Sequence, residues 1–330
     1  PNIRLVDLNI NYDEEENLPL YKKWKRLMRK KKLHHDRLDA FLKQLHANIV
    51  VSMFTHETSF LYHIKDGSSK VLELHFSRYF RDLHNKYNHV GLLTRIIGKL
   101  ANYRDTKAVK HYTRFVVLTE EDKESWKSYP NVVTIPNPIP FHNMVRTEFR
   151  TKEAIAVGRL CPQKGFDLLI EAWKRLDDCI RKQWHLSIYG SGPERKVLIS
   201  QIDKEGLTDC ISIHEPVKNI QSVYKNSSIF CFSSRYEGFA MAMVEAMSCG
   251  LATVSFDCPC GPRDIIRDGW NGMLVTSFDV EAFSKSLHNL MTNEKRMKEI
   301  GNNAIISTWE KYEEGKIMQQ WVELFNQIVS

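Results

Sequence analysis

Two glutamates eight positions apart, Glu237 and Glu245, mark the segment SRYEGFAMAMVEAMSCGLAT at residues 234–253. Glu237 lies just before a predicted helix and Glu245 about two turns along it, while Gly238 lets the backbone approach a ligand closely. The free N–H groups at such a helix start, from about Phe239 onward, favour a phosphate. A carboxylate would repel phosphate, so the glutamates are better suited to accept hydrogen bonds from sugar-like hydroxyls. The segment therefore predicts a diphosphate with a hydroxyl-rich group on either side, against the alternative that these acids only stabilise the helix.

Two cations follow another predicted strand, in the segment VGRLCPQKGFDLLIEAW. Arg159 and Lys164 lie five positions apart in the loop before a helix. Arginine binds phosphate oxygens through its bidentate fork and lysine acts as a point charge, so the pair suits a diphosphate. An ordinary exposed loop is the alternative interpretation of this stretch.

A third turn, YGSGPE, has Gly190 and Gly192 between a strand and a helix, with Pro193 at the first helical position. It is not a dinucleotide-binding fingerprint, because Arg195 occupies the position where a third glycine is expected. No Asp-x-Asp pair, the usual carrier of a metal-bridged nucleotide sugar, is found. The cations and the helix start could neutralise a leaving diphosphate without a metal.

The elements that must position these residues alternate between strand and helix, which indicates two doubly wound α/β domains with parallel sheets. Strands are predicted in the first half at IRLVDL, NIVVSM, KVLELH, FVVLT and VVTI, and in the second half at EAIAVG, WHLSIYG, CISIH, SIFCFS, ATVSF and GMLV. Helices are predicted at about 18–46, after Thr55, and near 90–112, 120–126, 165–182, 193–206, 218–226, 239–249, 262–268, 279–292, 294–308 and 309–329. The rigid segment IPNPIP at 135–140 is the best linker candidate. The predicted units are residues 1–140, 141–308 and a last helix, 309–330, whose apolar stripe must pack elsewhere.

The composition limits the classes of function. The chain has 330 residues, a net charge of +7 and seven cysteines, all at or after Cys161. No apolar run is long enough to span a membrane, and the cysteine spacing supports neither a disulfide framework nor a zinc site. Reduced thiols indicate a cytoplasmic protein, and no feature favours nucleic acid binding. Much of the excess charge lies at 21–37, where a basic amphipathic helix could bind an anionic membrane or simply be solvated.

Taken together, the motifs VGRL–QKGFDLLIEAW, YGSGPE, SRYEGFAMAMVEAMSCG and FDCPCGPRDIIRDGWNGMLV resemble glycosyltransferase family 4. The resemblance covers nearly all of residues 130–310, and Glu237 and Glu245 fall on the family's E-x7-E pair. It implies a GT-B fold, with two Rossmann-like domains facing a cleft. The implied activity is metal-independent, retaining transfer of a sugar, with UDP favoured as the nucleotide. The acceptor would be a glycan or a lipid-linked sugar in bacterial capsule or lipopolysaccharide assembly.

The same resemblance implies a role for each residue. Arg159 and Lys164 would hold the diphosphate, with the Gly190–Gly192 turn beside them. Glu237 and the amides of Gly238, Phe239 and Ala240 would meet the donor sugar, and Glu245 would accept hydrogen bonds from the ribose. His75, at a strand end of the first domain, would lie near the reacting sugar, and His56 is a weaker candidate.

The resemblance fails at the beginning of the chain. The family opens with a strand and a glycine-rich loop, and no such element precedes IRLVDL, so the first domain is expected to lack its first strand. Two alternatives to the transferase stay open. One is a noncatalytic protein that binds nucleotide sugars or an anionic surface, and the other is a nucleotide-sugar epimerase of the same architecture.

Overall fold

A computed structural model describes residues 3–12, 19–88 and 91–330 of the chain. Within them lie two separate parallel β-sheets, each covered by helices. The first half supplies a four-stranded sheet and the second half a six-stranded sheet. The sequence pattern of strands alternating with helices is the reason for this parallel arrangement, because each crossover between parallel strands needs a long connection.

The first sheet has the strand order β1-β2-β3-β4, which is the order of the sequence. Its strands and the helices of this half are β1 (Ile49–Met53), β2 (Ser69–Leu74), β3 (Arg114–Val117), β4 (Val132–Thr134), α1 (Leu20–Leu45), α2 (Phe80–Tyr87), α3 (Leu92–Val109) and α4 (Glu120–Ser125). Two short 3-10 helices, His56–Ser59 and Leu61–His63, replace the helix predicted after Thr55. Thr119 caps α4, and its Oγ1 accepts a hydrogen bond from Asp122 N at 3.0 Å.

The second sheet has the order β10-β9-β8-β5-β6-β7. Its strands are β5 (Glu153–Val157), β6 (His185–Tyr189), β7 (Ile211–His214), β8 (Ile229–Phe232), β9 (Ala252–Asp257) and β10 (Met273–Thr276). The helices are α5 (Phe166–Lys174), α6 (Asp178–Arg181), α7 (Arg195–Lys204), α8 (Ile220–Lys225), α9 (Met241–Ser248), α10 (Pro262–Ile265), α11 (Val280–Thr292), α12 (Glu294–Tyr312) and α13 (Glu314–Val329). The direction of winding reverses between β5 and β8, and ligands of open α/β sheets bind at the carboxyl ends of the strands at such a point.

The last helix returns to the first half of the chain. Ile317 and Leu324 of α13 are buried together with Val71 of β2 and Val116 of β3. The opposite face of the same sheet packs against α1 and α3. The apolar stripe of α13 therefore closes one side of the first sheet, which ties the end of the chain to its beginning.

Several elements differ from the sequence predictions. The segment IRLVDL forms no strand, and residues 3–11 are irregular. They lie along α1, where Arg37 Nη1 donates to the carbonyl oxygens of Leu8 and Asn9. An apolar run becomes a strand only where a sheet edge pairs with it, and no described strand pairs with this one. Helix α2 was not predicted, and the predicted helix at 165–182 is divided into α5 and α6.

The predicted boundary between the last two helices is also displaced. Helix α12 continues through Trp309, whose Nε1 donates to Ser248 O at 2.9 Å. Glu313 then ends the helix, and its carboxylate accepts from the amides of Gly315 and Lys316 at the start of α13. The predicted starts at Leu18 and Val90 of two other helices lie outside the described residues.

Candidate active site between the two halves and at the adjoining strand ends

Two cavities meet where the winding of the second sheet reverses. The first, which we call the cleft cavity, has a volume of about 420 Å³ and is lined by residues of both halves. The second, the strand-edge cavity, has a volume of about 560 Å³ and is lined by the second half alone. Arg159, which follows β5, lines both of them. It therefore marks the junction between the two spaces.

Glu237 belongs to the cleft cavity and its carboxylate is already bound to several groups. Its residue is 7% exposed. Oε1 accepts from Lys164 Nζ and from Ser234 Oγ, each at 2.6 Å. Oε2 has only a long contact, 3.5 Å from Gln163 Nε2. Because a carboxylate has about four acceptor positions, Oε2 keeps the capacity to accept a hydrogen bond from a hydroxyl in the cavity.

The two predicted cations differ in their surroundings. Lys164 is largely buried and forms its ion pair with Glu237, whereas Arg159 is exposed and makes no ion pair with any described residue. Gly158 leaves room for the lysine stem, since a Cβ built there would lie 3.2 Å from Lys164 Cδ and Cε. At the junction, therefore, the guanidinium of Arg159 has no ion-pair partner among the described residues, and the ammonium of Lys164 is paired with the carboxylate of Glu237.

The glycines of YGSGPE position the loop that carries Arg159. A Cβ on Gly190 would lie 1.9 Å from Gly158 O, and one on Gly192 would lie 2.4 Å from Leu160 O. Both contacts are with backbone and cannot be relieved by a side-chain rotation. The two turns can approach so closely only because these positions have no side chain. Gly190 and Gly192 also line the strand-edge cavity.

Glu245 lines the strand-edge cavity from α9, away from Glu237. Tyr224 Oη of α8 donates to its Oε2 at 3.2 Å. Burial raises the pKa of Glu245, and the hydrogen bond from Tyr224 lowers it by less. The remaining wall is largely apolar and includes Tyr189, Val217 and Ile220. A flat ring would fit the apolar wall, and a hydroxyl-bearing group would fit beside the carboxylate of Glu245.

The start of α9 lies against the first half of the chain. A Cβ on Gly238 would lie 2.3 Å from His75 O, a backbone atom of the loop after β2. Within the described chain, the amides of Gly238, Phe239 and Ala240 make no hydrogen bond to other protein atoms, whereas Glu237 N donates to Pro259 O at 2.7 Å. These three N–H groups precede the first residue of α9 and lie beside the paired carboxylate.

The side chain of His75 is held by a neighbouring acid. Its Nε2 lies 2.9 Å from Glu73 Oε1, although the angle does not make a hydrogen bond. His75 is not among the residues that line the cleft cavity, and the next residue, Phe76, is. His56 lines neither cavity, and its ring stacks on Tyr12 at a centroid distance of 3.8 Å.

Sequence reasoning missed several residues of the site. Gln163 and Ser234 hold Glu237. Gln163 lies next to Lys164, and Ser234 lies three residues before Glu237 in the same motif. Phe80 and Arg81 line the cleft cavity from α2. The apolar residues of α2 recur at helical spacing in FRDLHNKY, which was the available signal for this helix. Its last residue, Tyr87, stacks on Tyr236 at 5.8 Å and joins the two halves beside the cavity.

The described residues hold neither a metal-binding cluster nor a membrane-spanning helix. Residues 3–12, 19–88 and 91–330 contain no group of three or more histidines, cysteines or acids that could hold a metal ion. No helix in the same ranges is sufficiently long and apolar to cross a bilayer.

The second half of the chain is similar to a known family of enzymes. Residues 145–306 match the family model described as glycosyl transferases group 1. The amylovoran biosynthesis glycosyltransferase AmsD of Erwinia amylovora is 33% identical over 226 residues, which are 64% of this chain and 62% of AmsD. The chain therefore spans less than two thirds of the length of that relative.

Solved structures give the fold. HepE of Anabaena in complex with UDP matches with a TM-score of 0.74 and 16% identity, over 88% of this chain and 82% of HepE. The lipopolysaccharide outer core galactosyltransferase WaaB in its apo form matches with a TM-score of 0.73 and 20% identity, over 92% of this chain and 82% of WaaB. The prediction of an α/β fold of GT-B architecture is confirmed.

Proposed function

We infer that the protein transfers a sugar from a UDP-sugar to a glycan or lipid-linked acceptor in bacterial cell-surface polysaccharide assembly. The inference starts from the match of residues 145–306 to the family of group 1 glycosyl transferases and from the similarity to AmsD. We further propose that it is a retaining, metal-independent enzyme of family 4. The observation that carries this proposal is the position of Arg159 between two cavities, one holding Glu237 and the other Glu245.

A nucleotide sugar has three parts in the same order as these features. The base and ribose fit the strand-edge cavity, with the apolar wall for the ring and Glu245 for the ribose hydroxyls. The diphosphate lies at the junction, where Arg159 binds its oxygens. The sugar then enters the cleft cavity beside Glu237. UDP is proposed as the nucleotide because the structural neighbour HepE was solved with it.

The cleft residues support the bond-breaking step. When the bond between the anomeric carbon and the diphosphate breaks, negative charge grows on the diphosphate and positive charge on the sugar ring. Arg159, Lys164 and the amides of Gly238, Phe239 and Ala240 lie where the negative charge develops, and fixed donors of this kind stabilise a transition state. Glu237 binds a sugar hydroxyl and faces the positive charge. The acceptor oxygen attacks on the face that the diphosphate leaves, and the departing diphosphate takes its proton.

His75 has a supporting part in this proposal. Its carbonyl oxygen lies against Gly238, so the loop after β2 fixes the distance between the first half and the reacting sugar. The imidazole would have to leave Glu73 to contact the sugar directly. We propose His75 as a residue near the reacting sugar and Glu237 as the residue in contact with it.

The protein is proposed to work in the cytoplasm at the inner face of the membrane. Residues 21–37 lie in α1, where Tyr21 and Trp24 are exposed among basic side chains. An exposed aromatic and cationic helix surface of this kind can bind anionic lipids. Binding that increases at low salt and disappears at high salt is the expected behaviour.

The decisive experiment measures binding and turnover of a panel of nucleotide sugars. Isothermal titration calorimetry with UDP, GDP and ADP should show binding of UDP, with EDTA present, and radiolabelled UDP-sugars should be hydrolysed or transferred with retention of anomeric configuration. UDP binding with no hydrolysis and no transfer in an acceptor screen would favour the noncatalytic alternative. Absence of nucleotide binding, or loss of activity with EDTA, would contradict the corresponding part of the proposal.

A further inference from the structure

The exposed surface of α3 is apolar along most of its length. Leu92, Ile96, Leu100 and Tyr103 are 75%, 48%, 64% and 61% exposed. Residues three and four apart lie on the same side of a helix, so these four form one row, about 16 Å long at 1.5 Å per residue. The opposite side of α3 is packed, with Ala108 and Val109 buried in the core of the first half. Four large exposed apolar side chains in one row are more than scattered surface residues require.

The exposed charged side chains of α3 itself all have one sign. Arg95, Lys99 and Lys107 are exposed on α3. The one acid within α3 is Asp105, which is 3% exposed and engaged by Arg81 at 2.9 Å and Arg104 at 3.2 Å. The surface that α3 presents to solvent therefore carries cations and no carboxylate. Apolar side chains whose own helix exposes cations and no carboxylate complement a bilayer of anionic lipids, whose headgroups are negative and whose interior is apolar.

The same helix also lines the cleft cavity. Ile97 and Gly98 contribute to its wall beside Phe76 and Phe80, whose rings stack at a centroid distance of 5.0 Å. Ile97 is itself half exposed, so apolar surface continues from the row on α3 into the cavity that holds Glu237. An acceptor carried by a membrane lipid would reach the reacting sugar along this surface, passing Arg81 of α2 at the cavity wall.

We propose that the α3 row, residues Leu92, Ile96, Leu100 and Tyr103 with their flanking cations, is a further surface, in addition to α1, by which the protein docks on an anionic bilayer. It follows that the acceptor is borne by a membrane lipid. The statement about the acceptor rests on the transfer proposed above, whereas docking itself does not. This surface is separate from α1, and the two can be tested independently.

The test is flotation of the full chain with phosphatidylcholine vesicles that contain increasing fractions of phosphatidylglycerol. The double substitution Ile96→Ser with Leu100→Ser should reduce the bound fraction by about tenfold or more, because each removes a large side chain from the bilayer boundary. The matched control is Ile306→Ser with Met318→Ser, which alters two equally exposed apolar residues of α12 and α13. A second pair, Arg95→Gln with Lys99→Gln, should reduce binding by about tenfold at low salt and less at high salt. Its control is Lys196→Gln with Lys295→Gln, in α7 and α12.

The outcomes separate this inference from the proposed function. UDP titrations of each variant report the donor site, which these substitutions do not touch. Equal vesicle binding by the α3 variants and the wild type would overturn the docking surface, whether or not UDP binds. If Trp24→Ser in α1 abolishes vesicle binding and the α3 variants do not reduce it, the α3 docking surface would also be overturned. Monomer–dimer association that the α3 double variant abolishes, with no vesicle binding by the wild type, would assign the row to a second copy of the chain and also overturn it.

Discussion

The two cavities that meet at Arg159 are built in different ways. In the cleft cavity the carboxylate of Glu237 is already bound by a lysine and a serine hydroxyl, and both halves of the chain form the wall. In the strand-edge cavity the carboxylate of Glu245 has one phenolic donor and a largely apolar wall from the second half alone. If the proposed transfer takes place in the cleft cavity, the difference means that charged groups are positioned in advance where charge develops during the reaction. A site that only recognises a ligand can rely on burial and a single hydrogen bond.

The largest expected effect comes from Glu237→Gln, which removes the charge of the cleft carboxylate and keeps its shape. Transfer should fall by about 10²–10³-fold in kcat, the range seen when an electrostatic contact of a transition state is lost. UDP affinity should be unchanged or tighter, because Lys164 loses its anionic partner and becomes available to the diphosphate. Steady-state kinetics and calorimetry measure the two quantities. Glu171→Gln, on the outer surface of α5, is the control, and a similar loss of transfer in it, or none in Glu237→Gln, would contradict the assignment.

The next effect in size concerns the junction. Arg159→Ala should weaken UDP binding by about 1.5–3 kcal/mol, since the charge-assisted contact of the guanidinium with the diphosphate is lost. Adding Lys164→Ala should weaken it further, by less than Arg159→Ala alone, because Lys164 is shared with Glu237. The control is Arg175→Ala, which breaks only an exposed pair with Glu171. Calorimetry that shows the same affinity for wild type and the double variant would remove the diphosphate from this junction.

The strand-edge cavity was easier to predict from the sequence than the cleft cavity. Arg159, Gly190 and Gly192 all lie in turns that follow buried apolar strands, and every strand predicted in the second half is present. Short apolar runs that end in glycine turns are local features, and parallel strands bring their carboxyl ends to one edge. The local pattern was therefore sufficient to predict that these three residues of the second half lie together at the strand-edge cavity.

The cleft cavity depends on contacts between distant parts of the chain. The ion pair of Lys164 with Glu237 and the approach of His75 O to Gly238 join positions 73 and 163 residues apart, and no local pattern encodes them. Residues 3–8 show the same limit of local patterns. Their apolar pattern predicts a strand, but no described sheet edge pairs with them. The end of α12 near Glu313 depends on the packing of Trp309 against Ser248, which is again an interaction between distant parts of the chain.

A smaller effect tests how closely the two halves must approach. Gly238→Ala places a Cβ at 2.3 Å from the backbone oxygen of His75, so one of the two halves must move. We expect a loss of about 1–3 kcal/mol in the free energy of unfolding, as for other overpacked positions. Transfer should fall, and UDP affinity should change little because the strand-edge cavity is untouched. Urea denaturation and kinetics report the two effects.

The matched control for that substitution is Gly91→Ala. Gly91 has no atom within 4 Å of a built Cβ and is the N-cap of α3, where alanine typically costs about 0.5–1 kcal/mol relative to glycine. Equal stability of the two glycine variants would show that the halves adjust freely. In that case the contact between Gly238 and the loop after β2 does not set the width of the cleft.

The smallest effect comes from Glu245 and depends on pH. Because burial raises the pKa of this carboxyl, the unfolded chain ionises before the folded one, and the folded state loses stability as the pH rises from the ordinary glutamate pKa through the raised value. Glu245→Gln has no such loss, so its Tm should exceed that of the wild type at pH 7, and the difference should shrink as the pH falls. UDP binding should weaken by roughly three- to tenfold, since the amide accepts more weakly from the ribose hydroxyls than a carboxylate does. The control is Glu281→Gln, because the hydrogen bond from Lys285 lowers the pKa of Glu281 and predicts the opposite sign at pH 7. If both variants shift Tm in the same direction across this range, then burial of the Glu245 carboxylate does not destabilise the folded protein. The contrast between Glu245 and Glu237 would then have to come from their contacts with a bound ligand.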